Sequence, residues 1–178
     1  LAPTSHLDLD PAKQHAVRWA GDDRIGTAVA VSQQLWPKTT GDVRDFYAPG
    51  DKRPQAKAAV VSRSDDPADA LGGSALAAHL GGPLLLSSNT ALSQATATEL
   101  TRTLAPGATV YLLGGTSALS DHVFSDVAGL GFVPKRIKGD DRYQTATAIA
   151  QASAPTPHDF LVGTAANSPD APAARVCS

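Results

Sequence analysis

The chain has 178 residues, enough for one compact domain that buries roughly two-thirds of the surface its unfolded form exposes, with no need of a disulfide staple. Its formal net charge is -2, and its 15 Lys and Arg are not gathered into a stripe, which argues against a nucleic-acid partner. No run of about 18 apolar residues offers a membrane span, and a single cysteine, Cys177, excludes an internal disulfide and a multi-thiol metal centre.

Residues 1–16 read as an N-terminal tail. It opens on Leu1-Ala2-Pro3 with neither Met nor a charged-then-apolar leader, as a processed mature terminus or a trimmed chain would. A strand is predicted at Val17–Trp19 and an alanine-rich amphipathic helix at Arg24–Leu35. From Pro37 to Lys57 the sequence turns polar, punctuated by Pro37, Gly41, Pro49, Gly50 and Pro54, and reads as a long inserted loop. Phe46 and Tyr47 are its only aromatics, placed either to pin the loop to the body or to touch a partner. Beyond it, strands predicted at Ala58–Ser62, Pro83–Ser87, Thr109–Leu113, Val133–Ile137 and Asp159–Val162 alternate with helices predicted at Pro67–Leu80, Gln94–Leu104, Asp121–Leu130 and Arg142–Ala154. Leu84-Leu85-Leu86 and Val110-Tyr111-Leu112-Leu113 are apolar at successive positions, the pattern of strands buried on both faces. The fold class is therefore α/β, a layered, mostly parallel sheet with helices on both faces.

One phrase occurs twice. Arg18-Trp19-Ala20-Gly21-Asp22-Asp23-Arg24, closing with Thr27-Ala28, returns without a gap as Arg136-Ile137-Lys138-Gly139-Asp140-Asp141-Arg142, closing with Thr145-Ala146, at a constant offset of 118 (Gly139 against Gly21). A strand-turn-helix unit is duplicated, so the chain is a repeat protein. Asp159 to Ala171 also echoes Ala59 to Ala70, so the module is taken as 17–158, with 159–178 as the start of a truncated further repeat.

The helix starts carry capping chemistry. Asp66 offers an N-cap carboxylate, Pro67 a first helical residue whose missing N–H costs nothing, and Asp69 a second acid in the first turn. Asp23 and Asp141 cap in the two phrases, with Gln144 expected to reach back to the cap amide of Asp141. Ser93, Ser120 and Ser168 are further caps. Beside this structural reading stands a functional one, in which Arg24 and Arg142 present guanidinium groups to an anionic ligand.

Four ordered motifs now support a resemblance: the duplicated Arg-Gly-Asp-Asp-Arg phrase, Pro67-Ala68-Asp69-Ala70-Leu71, Gly82-Pro83-Leu84-Leu85-Leu86, and Val110-Tyr111-Leu112-Leu113-Gly114-Gly115. Together they resemble the cell-wall-binding repeat 2 family of Gram-positive surface proteins, over most of the chain. The resemblance implies Rossmann-like or Toprim-like topology, non-covalent attachment to the cell wall through an anionic secondary polymer, and a secreted protein that stays extracellular or wall-associated. It also implies modules in tandem, usually three about a pseudo-threefold axis, which single-module chains could supply only as a homotrimer. The chain departs from the family at Ile25-Gly26, where Tyr-Glu is favoured, and at Pro172, where leucine is expected. The family links the Pro83–Leu86 region to polymer binding, a role that buried strand side chains would play only indirectly.

In open parallel sheets, ligands collect outside the carboxyl ends of the strands, where helix N-termini and loop amides converge. Those ends are Ser62-Arg63-Ser64, Ser87-Ser88-Asn89-Thr90 and Gly114-Gly115-Thr116-Ser117. The candidate polymer-binding residues are therefore Arg24, Arg142, Ser87, Ser88, Asn89, Gly114, Gly115, Thr116 and Ser117, whose alternative reading is ordinary turn chemistry. Catalysis finds little support. Gly115-Thr116-Ser117-Ala118-Leu119 lacks the closing glycine of a nucleophile elbow, and His6, His15, His79, His122 and His158 are scattered without zinc spacing. Gly129-Leu130-Gly131 opens no dinucleotide fingerprint, and Asp8-Leu9-Asp10 has neither a preceding buried strand nor a partner glutamate. A non-enzymatic wall-binding protein is expected, without metal or cofactor. The rival is a secreted protein-protein interaction module, such as a protease inhibitor or cross-linking substrate, acting through residues 37–57.

Overall fold

The computed structural model describes residues 18–36 and 56–153. In chain order the elements are α1 (Arg24–Leu35), β1 (Ala56–Arg63), α2 (Ala68–Leu80), β2 (Leu84–Ser87), α3 (Gln94–Thr103), β3 (Leu104–Leu113), α4 (Asp121–Gly129), β4 (Val133–Ile137) and α5 (Arg142–Ser153). The strands form one all-parallel sheet in the order β2-β1-β3-β4.

Alternation along the two central strands divides the core into two layers. On one face Val61, Val110 and Leu112 pack with Leu100 of α3 and Val123 and Val127 of α4, and Val29 of α1 and Trp36 at its C-cap close over them. On the other, Val60 and Leu113 pack with Leu76 and Ala77 of α2 and Ile149 of α5. Each such fully buried side chain contributes roughly 1.5–3 kcal/mol. The result is an α/β fold with helices on both faces.

Topology places the site. The connection from β1 to β2 runs through α2 on one face, whereas α3 and α4 carry the chain back across the other face to β3 and then β4. Parallel crossovers of one hand require opposite faces for opposite directions of travel. The order therefore reverses between β1 and β3, and the loops leaving their carboxyl ends part to open a crevice.

The structure departs from the sequence-based elements in a few places. Residues 18–20 are not strand, although the duplicated residues of β4 are. β4 is held beside β3, with Leu113 against Ile137. β1 begins at Ala56, so Ala56 and Lys57 belong to the sheet and not to the inserted loop. β3 begins at Leu104 and not Thr109: Leu104 pairs with Ala56, after which the register shifts past Ala105-Pro106-Gly107. That pairing also ends α3 one residue early, with Leu104 already extended. Pro67 precedes α2 instead of opening it. β2 is an edge strand, so Leu85 is fully buried while Leu84 and Leu86 are only partly so, which corrects the expectation of burial on both faces. Asp8, Asp10, Phe46, Tyr47, the strand at Asp159–Val162, Ser168, Pro172 and Cys177 lie outside the described residues.

Candidate functional site

The two repeated phrases fold alike. Asp23 Oδ1 accepts the Gly26 amide at 2.7 Å, and Asp141 Oδ1 accepts the Gln144 amide at 2.8 Å. Six residues after each glycine a threonine hydroxyl accepts its N–H, Thr27 from Gly21 at 3.1 Å and Thr145 from Gly139 at 3.0 Å. These bonds fold the loop flat against the first helical turn, which leaves no room for a side chain. A Cβ on Gly21 would lie 2.3 Å from the Gly26 carbonyl carbon, and one on Gly139 would lie 2.5 Å from the Gln144 carbonyl carbon. The glycine recurs because of this close approach. Gln144 Oε1 accepts from Asp140, at 3.1 Å, and not from the cap amide of Asp141. The Gly139–Thr145 bond has already turned the Asp140 amide toward the helix.

Their settings differ. α1 lies over β2 and α3, and Arg24 Nη1 donates to the Ser64 carbonyl at 3.0 Å. α5 lies over α2, and its first turn borders a cleft of about 460 Å³ at the carboxyl ends of β1, β3 and β4. This is the crevice that the reversal of strand order opens.

Four segments line it. From the end of β1 comes Arg63, whose guanidinium makes a two-pronged pair with Asp65, both contacts at 2.6 Å. That hydrogen bond holds the Asp65 carboxyl down at about 2. At the start of α2, Asp66 Oδ1 accepts the Ala68 amide at 3.0 Å, so Asp66 caps the helix from one residue further out than expected. Asp69, one turn in, is half-buried; burial first, and the Asp66 charge second, push its carboxyl above the usual range, against the pull of Arg63 and Arg142.

After β3 runs Gly114-Gly115-Thr116-Ser117-Ala118. Gly114 has φ 89°, and a Cβ there would meet Asp69 Oδ2 and Ala118 Cβ, each at 2.6 Å, so the backbone turns directly against the Asp69 carboxylate. Arg136 of β4 holds this turn from behind. Its Nη1 donates to the carbonyls of Gly114, Gly115 and Leu119 at 3.2, 3.1 and 2.7 Å, and its Nη2 lies 3.3 Å from Asp121 Oδ1. The fourth segment, Lys138 to Arg142 with Thr145 behind it, closes the far side.

Of the candidates from sequence, the structure brings Arg142, Gly114, Gly115, Thr116 and Ser117 to this one cleft, together with Asp66, Asp69 and Asp141, for which the sequence predicts capping alone. Arg24, Ser87, Ser88 and Asn89 are not in its lining. Ser87 is buried, and its hydroxyl accepts the Ser93 amide at 2.9 Å. Ser93 makes no cap bond, because its own hydroxyl accepts the Ser88 amide at 3.0 Å to close the β2–α3 loop, whereas Ser120 does cap α4 through Val123. Arg63, Lys138 and Asp140 also line the cleft. Their signal is present in the sequence: Lys138 follows β4 directly and so marks a fourth strand end, although the same stretch also carries the signature of a helix start.

Among the described residues no group of three or more His, Cys, Asp or Glu side chains is arranged to hold a metal ion, and no helix is long and apolar enough to cross a membrane.

Comparison with known proteins agrees with this architecture. The family described as Cell wall binding domain 2 (CWB2) matches residues 18–124 and 136–178, and the second stretch begins at Arg136, where the second phrase begins. The N-acetylmuramoyl-L-alanine amidase LytC of Bacillus subtilis (strain 168) is 32% identical over 139 residues, covering 78% of this chain and 24% of the amidase. Among solved structures, Cwp8 from Clostridium difficile matches with a TM-score of 0.64 and 28% identity, over 80% of this chain and 22% of that one. Cwp6 from Clostridium difficile gives 0.61 and 25%, over 75% and 18%. The chain thus spans less than a quarter of the length of each of these relatives.

Proposed function

This chain belongs to the cell wall binding domain 2 family, and from that premise we propose that it attaches to an anionic secondary polymer of the wall through the cleft at the ends of β1, β3 and β4. The observation that carries the reading is the meeting, at the point where strand order reverses, of the Gly114–Ser117 turn with Lys138 and Arg142. Two cations beside small hydroxyls and a glycine turn that lets the ligand approach closely suit a phosphate or carboxylate carried on a polyol chain.

We read the site as binding without chemistry. Among the described residues neither Thr116 nor Ser117 has a base hydrogen-bonded to its hydroxyl, which an activated nucleophile needs. The LytC name denotes an amidase, but this chain corresponds to 24% of that protein. The proposal places the working unit within residues 17–158 and the protein outside the cell, secreted or held at the wall. Three copies would supply a three-module assembly, and a solution mass of one chain would remove that element.

Co-sedimentation with purified Gram-positive walls tests the reading. The unmodified protein is expected to pellet with walls, and the double variant Lys138→Ala/Arg142→Ala to bind at least about tenfold more weakly, the loss of two charge-assisted contacts. Protein that stays in the supernatant, or a double variant that binds as well as the parent, would overturn it.

A further inference from the structure

The charges around the cleft do not suit a ligand that is anionic throughout. Its lining holds Arg63, Lys138 and Arg142 against Asp66, Asp69, Asp140 and Asp141, three cations facing four carboxylates. Several are already committed. Arg63 is held by Asp65, and the Asp66 and Asp141 carboxylates each accept a helix amide.

Four of these charged side chains remain without a hydrogen bond or ion pair among the described residues: Lys138, Arg142, Asp69 and Asp140. They come from two stretches that meet only in the folded chain, the first turn of α2 and the β4–α5 loop with the first turn of α5. Asp69 differs from the others in being half-buried, pressed against the Gly114 turn, with Arg63 and Asp66 on its own side and Arg142 opposite. A phosphate or carboxylate resting on Lys138 and Arg142 would bring its charge close to this carboxylate and to Asp140. Like charges in one partly desolvated site repel, unless the ligand brings a compensating cation.

We propose that the cleft selects a zwitterionic polymer segment, with its anionic group on Lys138 and Arg142 and a primary ammonium on Asp69. This rests on the binding reading above and narrows it to one ligand class. The ammonium supplies three donors to a carboxylate that has no hydrogen-bond partner among the described residues. It also draws the raised Asp69 titration back down.

The probe is a poly(glycerol phosphate) carrying alanyl-ester amines, compared with the same polymer after N-acetylation, which removes the positive charge and keeps the bulk. The unmodified protein is expected to bind the amine form about tenfold more tightly than the acetylated form. Asp69→Asn is expected to bind the two equally. Equal binding of both forms by the unmodified protein, binding of neither, or discrimination retained by Asp69→Asn would each overturn the proposal. The comparison of polymer forms on the unmodified protein needs no variant to fold. Wall co-sedimentation stands apart from it: walls bound while acetylation has no effect would sink only the choice of ligand class, whereas walls not bound would sink the binding reading itself.

Discussion

Replacing Gly139 by alanine tests the structural role of the repeated phrase. The added methyl would meet Gln144 Cβ at 2.2 Å and the backbone of Gln144 and Thr145 at 2.5 and 2.6 Å. No rotamer change relieves a clash with backbone, so the loop must lift off the helix. Lifting it breaks the Gly139–Thr145 bond at 3.0 Å and the Asp140–Gln144 bond at 3.1 Å, and it disturbs the Asp141 cap. At about 1 kcal/mol for each bond and about 1 kcal/mol for the cap, the loss is about 2–3 kcal/mol. For a domain of this size that lowers the thermal midpoint by about 5–10 °C. Thermal and urea unfolding followed by circular dichroism measure it, with Gly115→Ala as the control. A Cβ on Gly115 meets nothing within 4 Å and φ there is not positive, so this change should stay within about 0.5 kcal/mol of the parent. A Gly139→Ala protein that melts with the parent, or a Gly115→Ala protein that loses as much, would refute the reasoning.

Arg136→Ala removes the donor shared by the Gly114, Gly115 and Leu119 carbonyls, and urea unfolding should show a loss of about 2–4 kcal/mol together with weaker wall binding, since the turn that lines the cleft loses its brace. Asp65, held at about 2 by Arg63, contributes stability that is complete above its unfolded value of 3.8 and is lost as pH falls toward 2; Asp65→Asn should flatten the acid limb of stability against pH across that window. Asp69 has the opposite sign. Its raised carboxyl favours the folded state at low pH and loses that advantage as pH rises through its titration, so Asp69→Asn should be more stable than the parent at pH 7 and lose that gain on acidification. Replacing residues 38–54 with a short Gly-Ser linker should leave wall binding unchanged, and its loss would favour a contact made by that loop.

Much of the fold was legible because its signals are local. The apolar runs at Val60-Val61 and Leu112-Leu113 mark strands covered on both sides, and Asp23, Asp141 and Ser120 mark helix starts, all without knowledge of neighbours. Pairing was not legible. Trp19 and Ile137 occupy equivalent places in the two phrases; Ile137 pairs with Leu113 in the sheet, whereas residues 18–20 are not strand. Likewise the start of β3 at Leu104 follows from its contact with Ala56, far away in sequence. The site divided in the same way. The carboxyl ends of the described strands share one rim because all four are parallel. Which ends share a cleft depends on where the strand order reverses, which brings Gly114 to Arg142 and leaves Ser87 to close its own loop. Asp69 read as a helix-start acid from its position alone; only the folded chain shows it pressed against Gly114.

The most direct test of attachment through an anionic wall polymer is the equilibrium affinity for purified walls before and after acid cleavage of their phosphodiester-linked polymers. Binding to intact walls that falls at least about tenfold on stripped walls is the predicted result. Equal retention on both preparations, or on neither, would contradict it.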